Sequence, residues 1–350
     1  MNKWLYYLGL TLAAAFLALT VLNASWLAPE PRGSVKLISQ RGVGQLGSAQ
    51  SAGGGPCTAK RIEPVYHDYI ENTVTGIRRS LAHGAKMAQV DIAPTSDGRI
   101  AVFRDPALDC RTDGTGPLRD KTMTELQRLD MGHGYTADGG ETYPLRGKVA
   151  GRMPELKQVI ANIPRNKQLM YHFTSGDPRE ADLLAAALAE AGRDPVAAGD
   201  AFYGDAAPVE AVRKRYPDVW AFTPEEGQKC ASDYILTGWS SVLPASCRGG
   251  TMVIPLNRQF LYWGWPNRLI ARMAEHGGKV IVGGPADSGR PDAGLTVPEQ
   301  LGEIPSSFNG YVWVEDSWNI PPALNPGLDR RTIEQREAAA AAITRRLEAQ

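Results

Sequence analysis

The sequence predicts an α/β protein, a (β/α)8 barrel set behind an N-terminal membrane helix. Three observations carry this expectation. The first is a 19-residue run without charge, "WLYYLGLTLAAAFLALTVL", at positions 4–22. The second is a series of eight short runs rich in β-branched and aromatic residues, at 36–39, 87–92, 168–173, 201–203, 219–222, 252–256, 279–282 and 311–314. The third is the helical patterning between those runs, bounded by Pro and Gly. Strands that alternate with helices pair in parallel. Eight of them point to a closed barrel, with an open doubly wound sheet as the other architecture this alternation allows.

The N-terminal run has the roughly 20 apolar residues that a bilayer-spanning helix needs. Lys3 precedes it and no Lys or Arg follows until Arg32. That asymmetry places the N-terminus in the cytoplasm and the rest on the extracytoplasmic, periplasmic side of the inner membrane. A cleaved signal peptide is the alternative, although the run is long for one and "LNA" before Ser25 is a poor small-residue cleavage site. The expected organisation is an anchor over 1–30, a barrel over 31–330 and a C-terminal helix over 331–350.

The stretch "GSAQSAGGGPC" at 47–57 reads as a flexible loop inside the domain. "IAVF" at 100–103 is close enough to the second strand to be its hairpin partner. Asp177 and Pro178 open a helix that runs to Gly192. "PVEAVRKRYP" and "PNRLIARMAEHGG" are bounded in the same way. Thr332 and Gln335 form a capping box ahead of an alanine-rich tail.

Composition narrows the function classes. Lys plus Arg and Asp plus Glu each number 38, so no net field points to nucleic acid. The four cysteines, Cys57, Cys110, Cys230 and Cys247, form no C-x-x-C motif, which argues against zinc or redox use. In an exported domain an even count favours disulfides. Cys230 and Cys247 flank a loop-like stretch, which pairs them and leaves Cys57 with Cys110; four buried thiols are the alternative.

Polar residues gather where the strands end: Gln40 and Arg41, Gln89 and Asp91, Arg104 and Asp105, Tyr171 and His172, Asn257 and Arg258, Glu315 and Asp316. Such repetition at successive strand ends describes one pocket. On the third long strand, period-2 alternation turns either Tyr171 or His172 toward the lumen. His67, His83, His133 and His276 read as structural helix or loop residues. "FLYWGWP" at 260–266 reads as an aromatic rim for a ligand, as loop packing, or as a membrane contact. "GGPADSG" at 283–289 is a weak candidate for a phosphate loop.

Several of these stretches resemble one family. "RG" at 41–42, "ENT" at 71–73, "QVDIAPTSDGRIAVFRD" at 89–105 and "LDCRTDGTGPLRDKTMTELQRLD" at 108–130 are similar to glycerophosphodiester phosphodiesterases, with "MPELKQVI" standing for a later family segment. The resemblance covers about 36–160 and implies a TIM barrel. It also implies two histidines acting as acid and base, and a divalent cation, calcium or magnesium, held by three carboxylates.

This chain departs from that pattern at the chemistry itself. Gln40 and Arg104 stand where the two histidines belong, and Gln89 replaces a carboxylate beside the remnant metal ligand Asp91. The strand expected to carry the third carboxylate reads "LMYHFT". A glutamine amide and a guanidinium do not transfer protons near neutrality. His172 is the one histidine placed to do so. Arg41, Glu71, Asn72 and Arg258 are the substrate-binding candidates, and no cofactor is expected. The resulting expectation is a membrane-anchored, exported phosphodiesterase-like protein with altered catalytic residues. The alternatives are an inactive, metal-independent binder of a phosphodiester or polyol phosphate, and a barrel that displays a partner surface.

Overall fold

In a computed structural model, residues 3–47, 57–149, 151–290 and 292–348 are described. Most of the glycine-rich loop expected over 47–57 lies outside them. Among the described residues nine strands form: β1 (Lys36–Gln40), β2 (Met87–Pro94), β3 (Ile100–Val102), β4 (Gln168–Phe173), β5 (Ala201–Gly204), β6 (Trp220–Phe222), β7 (Thr251–Pro255), β8 (Lys279–Gly283) and β9 (Tyr311–Val314). β3 is the hairpin partner of β2, in register Ile92↔Val102. The remaining eight follow the order β6-β5-β4-β2-β1-β9-β8-β7. Each neighbour in that order is also a neighbour along the chain, except where β1, the first strand, pairs with β9, the last. A doubly wound sheet reverses direction at a switch point and keeps its first and last strands apart. The fold is therefore of the (β/α)8 TIM-barrel class.

The chain folds into two compact units. The first comprises Met1–Lys36, Pro224–Ala293 and Gly302–Val312; the second comprises Leu37–Thr223, Gly294–Leu301 and Trp313–Gln350. In the second unit, parallel strands expose one apolar face to a layer of helices. Val90 and Ile92 of β2, with Leu169, Tyr171 and Phe173 of β4, pack against Ile77, Val159, Leu184 and Val212 from the helices Val74–Ala82, Leu156–Asn162, Arg179–Glu190 and Ala206–Arg215. The helix Ile333–Glu348 is fastened to this unit by Arg346, which pairs with Glu63 at 2.7 Å and also with Asp316. Asp316, expected at the mouth of a pocket, is thus a fixing point for the C-terminal helix. In the first unit, Ile281 and Val282 of β8 pair with Tyr311 and Val312 of β9, and β7 flanks β8.

Both expected disulfides form, Cys57–Cys110 and Cys230–Cys247, with sequence separations of 53 and 17. Closing loops of this length stabilises by about 3–4 kcal/mol each in the chain-entropy model. A clear drop in melting temperature on adding reductant is expected, and non-reducing peptide mapping should recover these two pairs.

His67 and His83 sit against the indole of Trp318, with ring centroids at 5.1 and 5.3 Å. Burial lowers both to about 4; Arg79 and Arg331 add to the effect at His83. Below the ordinary value near 6.5, the unfolded chain therefore binds protons that the folded chain does not. The contribution of these rings to stability is complete above about pH 6.5 and is lost as pH falls toward 4, by at most about 1.4 kcal/mol per pH unit for each ring. A lower urea midpoint at pH 5 than at pH 7 is expected, and His67→Gln with His83→Gln should remove most of that difference.

Candidate functional site

The site of the second unit begins with two interlocked loops. β1 ends at the buried Gln40, and the next residue, Arg41, has φ +59°. Asn72, in the loop before the helix Val74–Ala82, has φ +58°. Left-handed backbone at a non-glycine residue costs of order 1–3 kcal/mol and persists where its surroundings over-determine it. Those surroundings are visible here. The Arg41 N–H donates to the Gln89 carbonyl at 3.0 Å, and the Asn72 N–H donates to the Arg41 carbonyl at 2.8 Å. Thr73 caps the helix by accepting from the Gly76 N–H at 3.1 Å. A Cβ at Gly76 would lie 2.5 Å from the Val43 carbonyl, and one at Gly42 would lie 2.6 Å from the Ile77 nitrogen. Both glycines are needed for the loops to meet.

The strand register then brings the polar residues together. Gln40 lies opposite Gln89, and Asp91 lies opposite His172. The Asp91 carboxylate is fully buried; one oxygen is 2.6 Å from His172 Nδ1 and the other accepts from Asn72 Nδ2 at 2.9 Å. Burial alone pushes this carboxyl up. The His172 hydrogen bond and charge, with Arg41 and Asn72, overrule burial and hold it well below the usual range. An ionised carboxylate only accepts, so His172 Nδ1 carries the proton and donates it. His172 Nε2 is left without a hydrogen-bond partner among the described residues, on a side chain that is 22% exposed. The ring rests on Tyr203, with centroids at 5.1 Å. Tyr171, the alternative on this strand, points the other way. It is buried in the helix-facing core, and its hydroxyl donates to Asp200 at 2.9 Å. It is not the place for a missing carboxylate.

Arg104 follows β3 and is half-buried. Arg41's charge, then burial and the charge of Arg111, pull its pKa below the ordinary value. Among the described residues no carboxylate lies within ion-pair distance of its guanidinium. Glu71 is not available to it, because Arg111 holds Glu71 at 2.5 Å. Arg111 also donates to Asp105 at 2.9 Å, to the Tyr135 hydroxyl at 2.9 Å and to Thr58 at 2.7 Å. For Glu71, too, burial raises the pKa and the charges of Arg111 and Arg41 outweigh it. Sequence reasoning misses Arg111 and Tyr135. The available signal is an arginine directly after Cys110, whose disulfide partner Cys57 directly precedes Thr58.

Arg258 belongs to the other unit. It lies in the segment Leu256–Leu261 and lines a cavity of about 460 Å³ there, beside Arg290 and residues 283–286. The aromatic segment 260–266 is also in that unit.

The residues around Asp91 leave a divalent cation few free oxygen ligands. Both oxygens of that carboxylate are engaged, its strand neighbour is an amide, and Arg41 brings a positive charge. Among the described residues no group of three His, Cys, Asp or Glu side chains converges. The arrangement offers instead two guanidinium groups beside an Asp–His pair.

Residues 65–190 match the Glycerophosphoryl diester phosphodiesterase family. An uncharacterized protein of Mycobacterium tuberculosis is 33% identical over 112 residues, covering 32% of this chain and 37% of that protein. Glycerophosphodiester phosphodiesterase 1 of Homo sapiens is 41% identical over 116 residues, 33% of each chain. The chain thus spans about a third of the length of these relatives. In fold the likeness extends further. The glycerophosphoryl diester phosphodiesterase domain of the M. tuberculosis protein superposes with a TM-score of 0.57 at 18% identity, over 85% of this chain and 100% of that one. A phosphodiesterase of Oleispira antarctica, solved in complex with the product sn-glycerol-3-phosphate, gives 0.50 at 17% identity over 86% and 99%. Residues 65–190 are thus similar to the glycerophosphoryl diester phosphodiesterase family, and the fold of the chain is that of the solved phosphodiesterases.

Proposed function

We propose that the second unit binds a phosphate ester of the glycerophosphodiester class through Arg41 and Arg104, in place of a divalent cation. The observation that carries this reading is Arg104, a half-buried guanidinium beside a second one and without a carboxylate partner among the described residues. Three family carboxylates carry about −3 and call for a cation before a phosphodiester can enter. Here Gln89 and Asp91 carry about −1 between them, and the arginines reverse the sign. Planar guanidinium forks match phosphate oxygens in geometry as well as in charge.

The Asp91–His172 pair supplies one proton-transfer group. Asp91 fixes the ring and its tautomer, as the third member of a triad does. In hydrolysis, His172 Nε2 takes a proton from the attacking water as the new P–O bond forms and returns it to the alkoxide released as the ester P–O bond breaks. A second reading, binding without turnover, is favoured by Gln40, which occupies a family histidine position and cannot transfer a proton. Calorimetric titration with glycerophosphodiesters and sn-glycerol 3-phosphate in chelator tests the site. Binding that appears only on adding calcium or magnesium overturns it. Phosphodiester turnover in chelator that His172→Ala abolishes separates the two readings.

The helix Lys3–Leu22 is the proposed single-pass anchor, with both units on the periplasmic side. It has the length and apolarity to cross a bilayer, and none of it is buried in the protein. Residues just beyond it are built into the first unit. Asn23 is 2% exposed and accepts from Arg272 at 2.8 Å; Arg272 is itself buried. Cleavage near Ser25 would leave that guanidinium without one of its acceptors. Mass spectrometry of the mature N-terminus is expected to find residues 4–22 retained.

A further inference from the structure

We propose that the first unit docks on the lipid bilayer through a second surface, the apolar face around the exit of the N-terminal helix. This inference rests on the reading of Lys3–Leu22 as a membrane anchor. Among the described residues of this unit beyond the helix, seven large apolar side chains are exposed, including Trp26 at 75%, Trp239 at 46% and Phe260 at 82%. Exposed apolar groups scattered singly need no explanation, but a cluster rimming one feature does. Trp26, Trp239 and Phe260 are tied to the end of the helix. Asn23 Nδ2 donates to the Trp239 carbonyl at 2.9 Å, and Ser25 Oγ accepts from the Asn267 N–H at 3.0 Å. A cavity of about 630 Å³ is lined together by Thr20 of the helix, Trp26 and Phe260.

The joint is stiff. Arg272 links Asn23 to the Tyr234 hydroxyl at 2.8 Å and to the Gly238 carbonyl at 3.2 Å, and Tyr234 donates to the Trp263 carbonyl at 2.8 Å. Gly264 has φ +77°, and a Cβ there would approach the Asn23 carbonyl to 3.0 Å. A helix end held this way carries the surrounding surface with it. Once residues 3–22 cross the bilayer, Trp26, Trp239 and Phe260 lie at the depth of the headgroups. There a tryptophan keeps an apolar ring in the acyl boundary and its N–H on a polar partner, as Trp239 Nε1 does by donating to the Leu236 carbonyl at 3.0 Å. The continuity of the patch with the membrane helix selects a lipid surface over a protein partner as its occupant.

Photo-crosslinking of the full chain in vesicles of phosphatidylethanolamine and phosphatidylglycerol tests this. The substitutions are Trp239→p-benzoylphenylalanine and Phe260→p-benzoylphenylalanine, both at exposed side chains. Glu275→p-benzoylphenylalanine is the control, at the far end of the helix Asn267–Glu275 whose first N–H bonds Ser25. Lipid adducts are expected at 239 and 260 and none above background at 275. Co-flotation with the vesicles, without lipid adducts at 239 and 260, overturns the docking surface and leaves the anchor standing. A protein that fails to float overturns both. Adducts to a second polypeptide at 260 would assign the face to a protein partner instead.

Discussion

Replacing Arg111 with alanine is expected to lower the unfolding free energy by about 3–5 kcal/mol, the usual effect of removing one member of a buried ion pair. Arg111 is 3% exposed and Glu71 7%. The guanidinium serves four groups at once: Glu71, Asp105, Thr58 and the Tyr135 hydroxyl. Its removal leaves Glu71 charged in a site that water does not reach, where burial already works against the carboxylate. The Tyr135 ring also loses a cation 5.6 Å from its centroid. Lysine at this position keeps the charge but cannot fork, so Arg111→Lys should recover only part of the loss. Urea denaturation of the three proteins measures the difference. A loss below about 1 kcal/mol for Arg111→Ala would show that Glu71 is protonated in the folded state and needs no partner.

The same residue shows where sequence reasoning stops. All eight barrel strands are legible to within two residues, because β-branched and aromatic runs between Pro- and Gly-bounded helices leave few other arrangements. The hairpin strand and both disulfides are legible for equally local reasons. Part of the candidate site, Gln40, Gln89, Asp91 and His172, is legible as strand-end positions that the register sets opposite one another, whereas Arg258 and Asp316, also at strand ends, lie elsewhere. Phase is not legible. A strand buried on both faces reads as a continuous apolar run, and nothing in "QLMYHF" says whether Tyr171 or His172 faces inward. That question is settled by Asp200 and the Phe202 ring, which receive Tyr171 on the helix side. Arg111 is invisible for a related reason. Its partners come from positions 58, 71, 105 and 135, which only the folded loops bring together. Asp316 reads as a pocket residue because it follows a strand. Its actual partner, Arg346, lies 30 residues on, in a helix whose docking carries no local signal.

Arg104→Ala is expected to weaken metal-free binding of a phosphate ester by about 10- to 150-fold, while changing stability little. The magnitude follows from a charge-assisted hydrogen bond worth roughly 1.5–3 kcal/mol. Stability should be almost unaffected because among the described residues no carboxylate loses an ion-pair partner with this guanidinium; the largest influence on it is the like charge of Arg41. Removing it relieves that repulsion. This contrast with Arg111 distinguishes a binding arginine from a structural one: one substitution moves affinity and the other moves the urea midpoint. Arg104→Lys should keep the charge and lose the fork, giving an intermediate affinity. Salt adds a second check. Attraction between exposed charges is screened over about 8 Å at physiological ionic strength, and a partly buried pair is screened less. Binding anchored by Arg104 should therefore survive moderate salt. Titration calorimetry in chelator at two salt concentrations, on the parent chain and both variants, reads all of this directly. Unchanged affinity in Arg104→Ala would move the anchor to Arg41. In that case Arg41→Ala should abolish binding and also disturb the Asp91–His172 pair, whose carboxylate Arg41 helps to keep ionised.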